Sequence, residues 1–169
     1  DATEFTFAEV DTYIAANNAR DMVLVANPDY PTVSTETSFP INVNLSDTCN
    51  AYYDYSSINF YSSGGGCNNT AFSVVVHHEY GHHGVACAGS GQGEYGEGMG
   101  DVMGVLITGD PHQARGFYQG DCENGIRNAD NTLQYPCSGG IHHCGQVISG
   151  CVWDSLITVE AAFPGTGYD

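Results

Sequence analysis

Basic residues are almost missing from this chain. It contains no lysine, and its three arginines stand against 20 acidic residues, which leaves a formal net charge of −17 at pH 7. Nucleic acids and anionic membranes repel such a surface, so the composition argues against both as partners. The same acidity suits a protein that binds hard cations such as calcium. Calcium is therefore a second candidate cofactor, although solvation alone would explain the charge.

Long apolar runs and paired cysteine motifs are also missing. No stretch approaches the roughly 20 apolar residues that a membrane span needs, and no two cysteines have a C-x-x-C spacing. Seven cysteines in 169 residues instead indicate disulfides, an oxidising compartment and hence a secreted protein, with one thiol left over. We predict the pairs Cys49–Cys67 and Cys122–Cys137. Because the chain begins at Asp1 with neither a methionine nor an apolar leader, we interpret it as a mature or excised domain.

The length of 169 residues predicts one domain that covers residues 1–169, and the periodicity of the sequence predicts that this domain is α+β; we favour a monomer. A chain of this length can bury about two-thirds of the surface that it exposes when unfolded. A capping-box pattern predicts a first helix from Phe7 to about Arg20, with Phe7, Val10 and Ile14 on one face and Ala15 as a further candidate for it. The other predicted elements are strands at 41–45, 51–55 and 57–61, a helix capped by Asn68, Asn69 or Thr70 and ended by Gly84, a helix at 94–107 ended by Gly109, a loop-rich region at 110–137 and a last helix from Gln146 to about Phe163.

The segment 74–83 holds four histidines but one convincing metal-binding pair. His78 and His82 lie four residues apart, so on a helix their imidazoles stand one turn above each other and can share a metal ion. Glu79 lies one step around the helix, within reach of a water on that ion. This H-E-x-x-H arrangement is typical of zinc sites in which the glutamate is the general base. A chance match on a polar helix face is the alternative, but the mostly apolar run 71–76 indicates that the histidines emerge from a buried helix.

A catalytic zinc needs a third protein ligand and one position open for water. We choose Glu97 on the next predicted helix. Glu94 is the rival, but Asp101 follows Glu97 by four residues and could accept a hydrogen bond from the outer nitrogen of His78. Two carboxylates on a solvated helix face are the alternative. Four glycines at 96–104 each cost about 1 kcal/mol in a helix relative to alanine, so we expect a close approach of this helix to the metal helix.

These motifs resemble the zinc core of thermolysin-like and, more closely, fungalysin-like metallopeptidases of the gluzincin clan. The resemblance rests on H-E-Y-G-H at 78–82 and G-E-G-M-G-D at 96–101, since the third ligand of that clan is a glutamate in a G-E-G-x-x-D or N-E-x-x-x-D sequence. It implies a zincin-like core in which the edge strand of a small twisted sheet lies over a cleft beside the active-site helices. It also implies zinc held by His78, His82 and Glu97, with Asp101 behind them and Glu79 as the general base.

A third patch, N-A-Y-Y at 50–53, resembles the edge strand of the same clan. That strand pairs through its backbone with an extended peptide substrate, and its asparagine side chain also bonds the peptide. The resemblance therefore implies that Asn50, Ala51 and Tyr52 bind substrate.

Two further segments resemble parts of the family's active site. The segment around His142 is similar to one that supplies an oxyanion-stabilising histidine, and His143 is the competitor for that role. The segment around Arg127 is similar to one whose arginine contacts a substrate carbonyl, with a structural salt bridge as the alternative. The carboxylate that the family places five residues before its histidine is absent, and Cys137 stands there.

Together, the residues and the resemblance predict a secreted zinc peptidase, by preference an endopeptidase, that acts on peptides or proteins. Family catalytic domains are much longer, so this chain would be a compact core without most of the helical second lobe. Two alternatives stay open. One is a binding or adhesion module, or an inactive peptidase homologue, in which the zinc is structural and Glu79 is idle. The other keeps the chemistry but hydrolyses a non-peptide amide or ester.

Overall fold

The computed structural model describes residues 2–165 and shows an α+β arrangement of helices with two small sheets, which confirms the predicted fold class. Among the described residues, no helix is long and apolar enough to cross a bilayer. The helices are α1 (Ala2–Ala26), α2 (Ser73–Cys87), α3 (Glu94–Thr108) and α4 (Ile141–Ala162), and the strands are β1 (Ile41–Leu45), β2 (Ala51–Tyr53), β3 (Ile58–Tyr61), β4 (His112–Gln113) and β5 (Arg127–Asn128).

The larger sheet has β2 at its edge. Its strand order is β1-β3-β2, with β1 parallel and β2 antiparallel to the central strand β3. β2 and β3 are shorter than predicted because residues 54–57 form the turn between them. In that turn the Asp54 carboxylate accepts hydrogen bonds from the backbone N–H groups of Ser56 and Ser57. β2 pairs with β3 on one side only, and the backbone N–H group of Tyr53 donates a hydrogen bond to the Glu79 carboxylate.

α1 is longer than predicted and turns a different face inward. It begins at Ala2, and the Thr6 hydroxyl donates to the carbonyl of Ala2 instead of capping a helix start. The buried face consists mainly of alanines, which let α1 lie close against α2 and β1. The predicted face was wrong for Phe7, Val10 and Ile14, which are 62%, 50% and 52% exposed, whereas the fourth candidate, Ala15, is buried.

α2 begins and ends later than predicted. It spans Ser73–Cys87, and no side chain caps its first turn. Of the three predicted caps, Asn69 instead accepts a hydrogen bond from a backbone N–H group before the helix. The helix continues through Gly84 and is stopped by Gly89. That glycine has a left-handed φ of 75°, and its N–H group bonds back to the carbonyl of Ala86.

α3 lies between α2 and α4, and its glycines permit the close contact that the sequence predicts. A Cβ atom added to Gly81 of α2 would lie 2.8 Å from the Cα atom of Gly100. On the other side, a Cβ atom added to Gly98 would lie 2.6 Å from the carbonyl oxygen of Gly145 in α4. The predicted helix end is also confirmed, since Gly109 caps α3 with a left-handed φ of 65°.

Two disulfides connect the segments around the helices and are compatible with an extracellular location. The predicted pair Cys49–Cys67 is confirmed. The second prediction was wrong, because Cys137 pairs with Cys144 and not with Cys122. The reason is that α4 begins at Ile141, earlier than predicted, and its first turn brings Cys144 back to the preceding loop. Three thiols rather than one are free, namely Cys87, Cys122 and Cys151.

Candidate metal centre

α2 and α3 bring three potential metal ligands together. The Nε2 atoms of His78 and His82 lie 3.2 Å apart. Glu97 reaches across from the first turn of α3, and its carboxylate oxygens lie 3.3 Å from His78 Nε2 and 3.8 Å from His82 Nε2. One ligand atom from each residue falls within 4.8 Å of the other two. This group could hold one metal ion.

The spacing of the three ligands is compatible with a tetrahedral ion such as zinc. Zinc binds imidazole nitrogen and carboxylate oxygen at about 2.0–2.2 Å, so neighbouring ligands of a tetrahedral ion lie about 3.4 Å apart. The observed separations bracket that value. In addition, Glu97 Oε2 is buried and lies 3.3 Å from His78 Nε2 and 3.2 Å from His142 Nε2. A bound cation would satisfy this oxygen.

The outer nitrogen of each histidine is held by a side-chain oxygen. His78 Nδ1 lies 2.9 Å from Asp101 Oδ1, and His82 Nδ1 lies 2.8 Å from Gln92 Oε1. Since both oxygens can only accept, each Nδ1 carries a proton, which leaves Nε2 of each ring as the atom that can bind a metal. Both imidazoles therefore have the orientation that a metal ligand requires.

Gln92 was missed by the sequence reasoning. It lies in the glycine-rich segment between α2 and α3, and its Nε2 donates to the carbonyl oxygen of His82 at 3.1 Å. A signal was present, because a metal-binding histidine needs an acceptor for its outer nitrogen. Between the two helices, only Ser90 and Gln92 have side chains that can accept a hydrogen bond.

Arg127 forms a two-bond ion pair with Asp101. Its Nε donates to Asp101 Oδ2 at 2.8 Å, and its Nη2 donates to Oδ1 at 2.7 Å. Burial would raise the pKa of Asp101, but hydrogen bonds from His78 and Arg127 outweigh burial and lower that pKa to about 2. A fixed negative charge therefore stands behind His78. Arg127 also lines a groove that includes His78, and its contact with a substrate carbonyl stays a prediction.

In the metal-free protein, a proton competes for the ligand atoms. Burial opposes a charge on His78, but its hydrogen bonds to Asp101 and Glu97 outweigh burial and raise the pKa of His78 to about 9. The bond from His78 also lowers the pKa of Glu97 against the opposing effect of burial. Burial and the charge on His78 lower the pKa of His82. One proton thus resides between His78 and Glu97, and a metal ion must displace it.

Glu79 follows His78 on α2, and its carboxyl group is shielded from water. The residue is 6% exposed. Burial raises the pKa of Glu79 to about 7, against the opposing effects of the charge on His78 and of a hydrogen bond from the Tyr53 backbone. A carboxyl group with a pKa near neutrality is suited to accept and return a proton at neutral pH.

A groove with two chambers runs past these residues. Asn50, Ala51, His78, Glu79 and His142 line both chambers. The valine chamber, of about 310 Å³, is further lined by Val74, Val75, Ala114, Phe117 and Ile126 and by the polar side chains of Gln113 and Arg127. The tyrosine chamber, of about 340 Å³, is further lined by Tyr52, Tyr53 and Tyr55 and by the ligands His82 and Glu97. The structure thus places all three predicted substrate-binding residues along the groove.

His142 and His143 have different surroundings. His142 is in the first turn of α4 with a side chain that is 60% exposed, and its Nε2 lies 3.2 Å from Glu97 Oε2. His143 does not line either chamber, and its ring packs against Gly139 instead. The rival ligand Glu94 is exposed and does not belong to the ligand group found within residues 2–165.

The sequence matches no protein-family model and no curated protein. The function of this protein is therefore inferred from the residues of the site and their geometry.

Proposed function

We propose that this protein is a zinc-dependent peptidase with a zincin-like core. The observation that carries the proposal is the junction of the two chambers, where His78 and the buried carboxyl group of Glu79 line both chambers and His82 and Glu97 complete the ligand group from the tyrosine chamber. Structural zinc sites have four protein ligands, whereas catalytic sites have three and an open position. Three converging ligands and a neighbouring general base favour catalysis.

The edge strand supports a peptide as the substrate. β2 pairs on one side only, and Asn50 and Ala51 beside it line both chambers. Extended peptides bind to such an edge by adding a strand, with their side chains alternating between pockets. A peptide added to β2 would pass through both chambers and bring one backbone carbonyl to the junction.

The residues at the junction have distinct roles in the proposed reaction. When bound, zinc acidifies water and polarises a carbonyl group. Glu79 accepts the proton that water loses as its oxygen bonds to the carbonyl carbon, and it donates this proton to the amine as the C–N bond breaks. His142 donates a hydrogen bond to the developing oxyanion, a contribution on the order of 3 kcal/mol for one well-placed donor. Arg127 holds Asp101 and through it His78, and it is the second candidate to contact the substrate carbonyl.

We further propose that the protein acts outside the cell as an endopeptidase. The two disulfides support the location. The groove supports internal cleavage because it extends to both sides of the ligand group, which leaves room for substrate residues before and after the cleaved bond.

A peptide library tests the proposal directly. The zinc-loaded protein should cleave library members, a chelator should abolish cleavage, and added zinc should restore it. His78→Ala and Glu97→Ala should lose both the metal and the activity. An unchanged library after incubation with fully zinc-loaded protein would contradict the proposal.

A Glu79→Gln variant separates catalysis from a structural role of the metal. It should keep its zinc and its fold but lose about 10²–10⁴-fold in kcat, because general acid–base catalysis contributes that much. If Glu79→Gln cleaves peptides as fast as the unmodified protein, Glu79 is not the general base. If neither protein cleaves while both retain zinc, the structural-zinc alternative is favoured.

A further inference from the structure

We propose that the tyrosine chamber binds a cationic side chain, so that the protein prefers peptides with arginine or lysine near the cleaved bond. The inference rests on the proposed peptidase function and makes its substrate class more specific. Three observations carry it: the aromatic walls of the chamber, the pairing of every arginine of the chain, and a fixed negative charge between two of the tyrosines.

The chamber presents aromatic rings to solvent. The rings of Tyr53 and Tyr55 lie 5.3 Å apart at an angle of 50°, and Tyr55 is 71% exposed despite its large ring. Tyr55 also has a left-handed backbone with φ of 69°, which is uncommon and costly for a bulky residue. The turn therefore holds an aromatic ring at the mouth of the chamber, where its face can contact a ligand cation.

The arginines of the chain do not line this chamber. Each of the three is paired with a carboxylate: Arg20 with Asp21 at 3.6 Å, Arg115 with Asp110 at 2.8 Å and Arg127 with Asp101 at 2.7 Å. Of these, Arg127 alone lines the groove, and it lies in the valine chamber. The positive charges that a substrate cation would meet in the tyrosine chamber are those of the ligand histidines and of the metal that they would hold, so the cation is expected at the exposed Tyr55 ring.

A negative charge lies next to two tyrosines of this chamber. Asp54 is exposed and lies between Tyr53 and Tyr55 in the turn. Hydrogen bonds from Ser56 and Ser57 lower the pKa of Asp54 to about 2, so it is ionised throughout the neutral range. The formal charge of −17 on the whole chain also favours the approach of cationic peptides over that of anionic ones.

The two chambers divide the side chains of a substrate by their chemistry. The valine chamber offers an apolar side chain contacts with Val74, Val75 and Phe117. A guanidinium group can stack on the Tyr55 ring and still keep its contact with water. The tyrosine chamber is therefore the better site for arginine, and for lysine with a weaker stacking contribution.

Peptide pairs that differ only in charge provide the test. One arginine is placed in turn at each position around the cleaved bond, and each peptide is compared with the citrulline peptide of the same shape. At one position the arginine peptide should have the higher kcat/KM by about 3- to 10-fold at low salt. This ratio should fall as salt is added, because exposed charges are screened.

Variants locate the effect in the chamber. Tyr55→Leu removes the aromatic face and should lower the arginine-to-citrulline ratio, whereas Tyr55→Phe keeps the face and should retain it. Asp54→Asn should also lower the ratio while the side-chain oxygen still accepts the hydrogen bonds of the turn. Tyr13→Ala and Asp11→Asn on α1 are matched controls, since they remove one exposed ring or one charge outside the groove and should leave the ratio unchanged.

Binding to zinc-loaded Glu79→Gln separates this inference from the peptidase proposal. Tetra-arginine should bind more tightly than tetra-citrulline in calorimetry, and Tyr55→Leu in the same background should reduce the difference. If this holds but no peptide is cleaved by the unmodified protein, the peptidase proposal fails and the cationic site stands. If peptides are cleaved with equal kcat/KM for arginine and citrulline at every position, the cationic site is overturned and the peptidase proposal stands.

Discussion

Gly81 of α2 and Gly100 of α3 contact each other backbone to backbone, since a Cβ atom on Gly81 would lie 2.8 Å from the Cα atom of Gly100. Gly100 also lies under the His78 ring, where an added Cβ atom would lie 2.6 Å from Nδ1. This crossing of two helices allows Glu97, which is one turn before Gly100, to reach the histidines. The packing of α2 on α3 and the geometry of the ligand group are therefore coupled.

Gly81→Ala should damage both stability and metal binding. The new methyl group must displace the backbone of α3, because backbone atoms of Gly100 and Met99 are its nearest neighbours. Such overpacking costs about 1–3 kcal/mol, and the shift of α3 moves Glu97 away from the histidines. Chemical denaturation and zinc titration of the same variant measure the two effects.

Gly84→Ala is the control on the same helix. No atom lies within 4 Å of a Cβ atom built on Gly84, and alanine is a better helix former by about 1 kcal/mol. This variant should be as stable as the unmodified protein or more stable, with unchanged zinc affinity. Equal losses in both variants would contradict the special role of the Gly81–Gly100 contact, because helix propensity alone favours alanine at both positions.

The sequence could predict those parts of the site whose geometry is set by residues close together in the chain. The pairing of His78 with His82 follows from the pitch of one helix, and the end of α3 follows from the left-handed conformation that Gly109 can adopt. The contact of α2 with α3 was predictable because several glycines in one helix are costly unless a neighbour needs the space. In each case the prediction rests on a few residues that lie close together in the sequence.

The parts that depend on tertiary packing could not be predicted. The inward face of α1 is lined by alanines because the core leaves little space there, and hydrophobicity alone favours Phe7 and Val10. The sequence leaves Ser90 and Gln92 as possible acceptors for His82, and only the path of the loop decides that Gln92 is the one. Cysteine spacing leaves several pairings open, so the partner of Cys137 depended on where α4 begins.

Gln92→Ala should weaken metal binding with little loss of stability. The variant removes the acceptor that fixes the outer nitrogen of His82, and loss of such a partner costs about 10- to 100-fold in metal affinity. Zinc titration against a chelator of known affinity measures it. Gln119→Ala is the matched control, because its amide bonds the Cys67 carbonyl away from the ligand group. Equal affinities of the two variants would contradict the role of Gln92.

Metal binding should release a proton and weaken as the solution becomes more acidic. Hydrogen bonds to Asp101 and Glu97 outweigh burial and raise the pKa of His78 to about 9 in the metal-free protein. At pH 7.5 His78 is therefore protonated without metal, and zinc must displace about one proton. Below pH 9, each unit of acidification should lower the apparent affinity by up to about tenfold. Calorimetry in two buffers of different ionisation enthalpy counts the protons, and an affinity independent of pH between 6 and 8 would contradict this protonation state.

The raised pKa of His78 should also make the stability of the metal-free protein depend on pH. Because the pKa of His78 is raised in the folded state, its protonation stabilises the fold fully below the unfolded value near 6.5. This stabilisation is lost as the pH rises through about 9. Chemical denaturation of the chelator-treated protein should therefore show stability decreasing between pH 6.5 and 9, and His78→Phe should flatten that decrease. A variant with the same pH profile as the unmodified protein would assign the effect to another group.

The Cys137–Cys144 disulfide should matter for the position of His142 and not for the metal ligands. Cys144→Ser opens a short loop, and the chain-entropy model gives about 2–3 kcal/mol for a loop of this size. Zinc content should persist, because the ligands come from α2 and α3, while kcat should fall as the first turn of α4 loosens around His142. Cys122→Ser is the control, since this thiol is free, and it should change neither stability nor kcat. Peptide mapping without reduction that linked Cys122 to Cys137 would overturn both expectations, because α4 would then have to begin later and His142 would leave the groove.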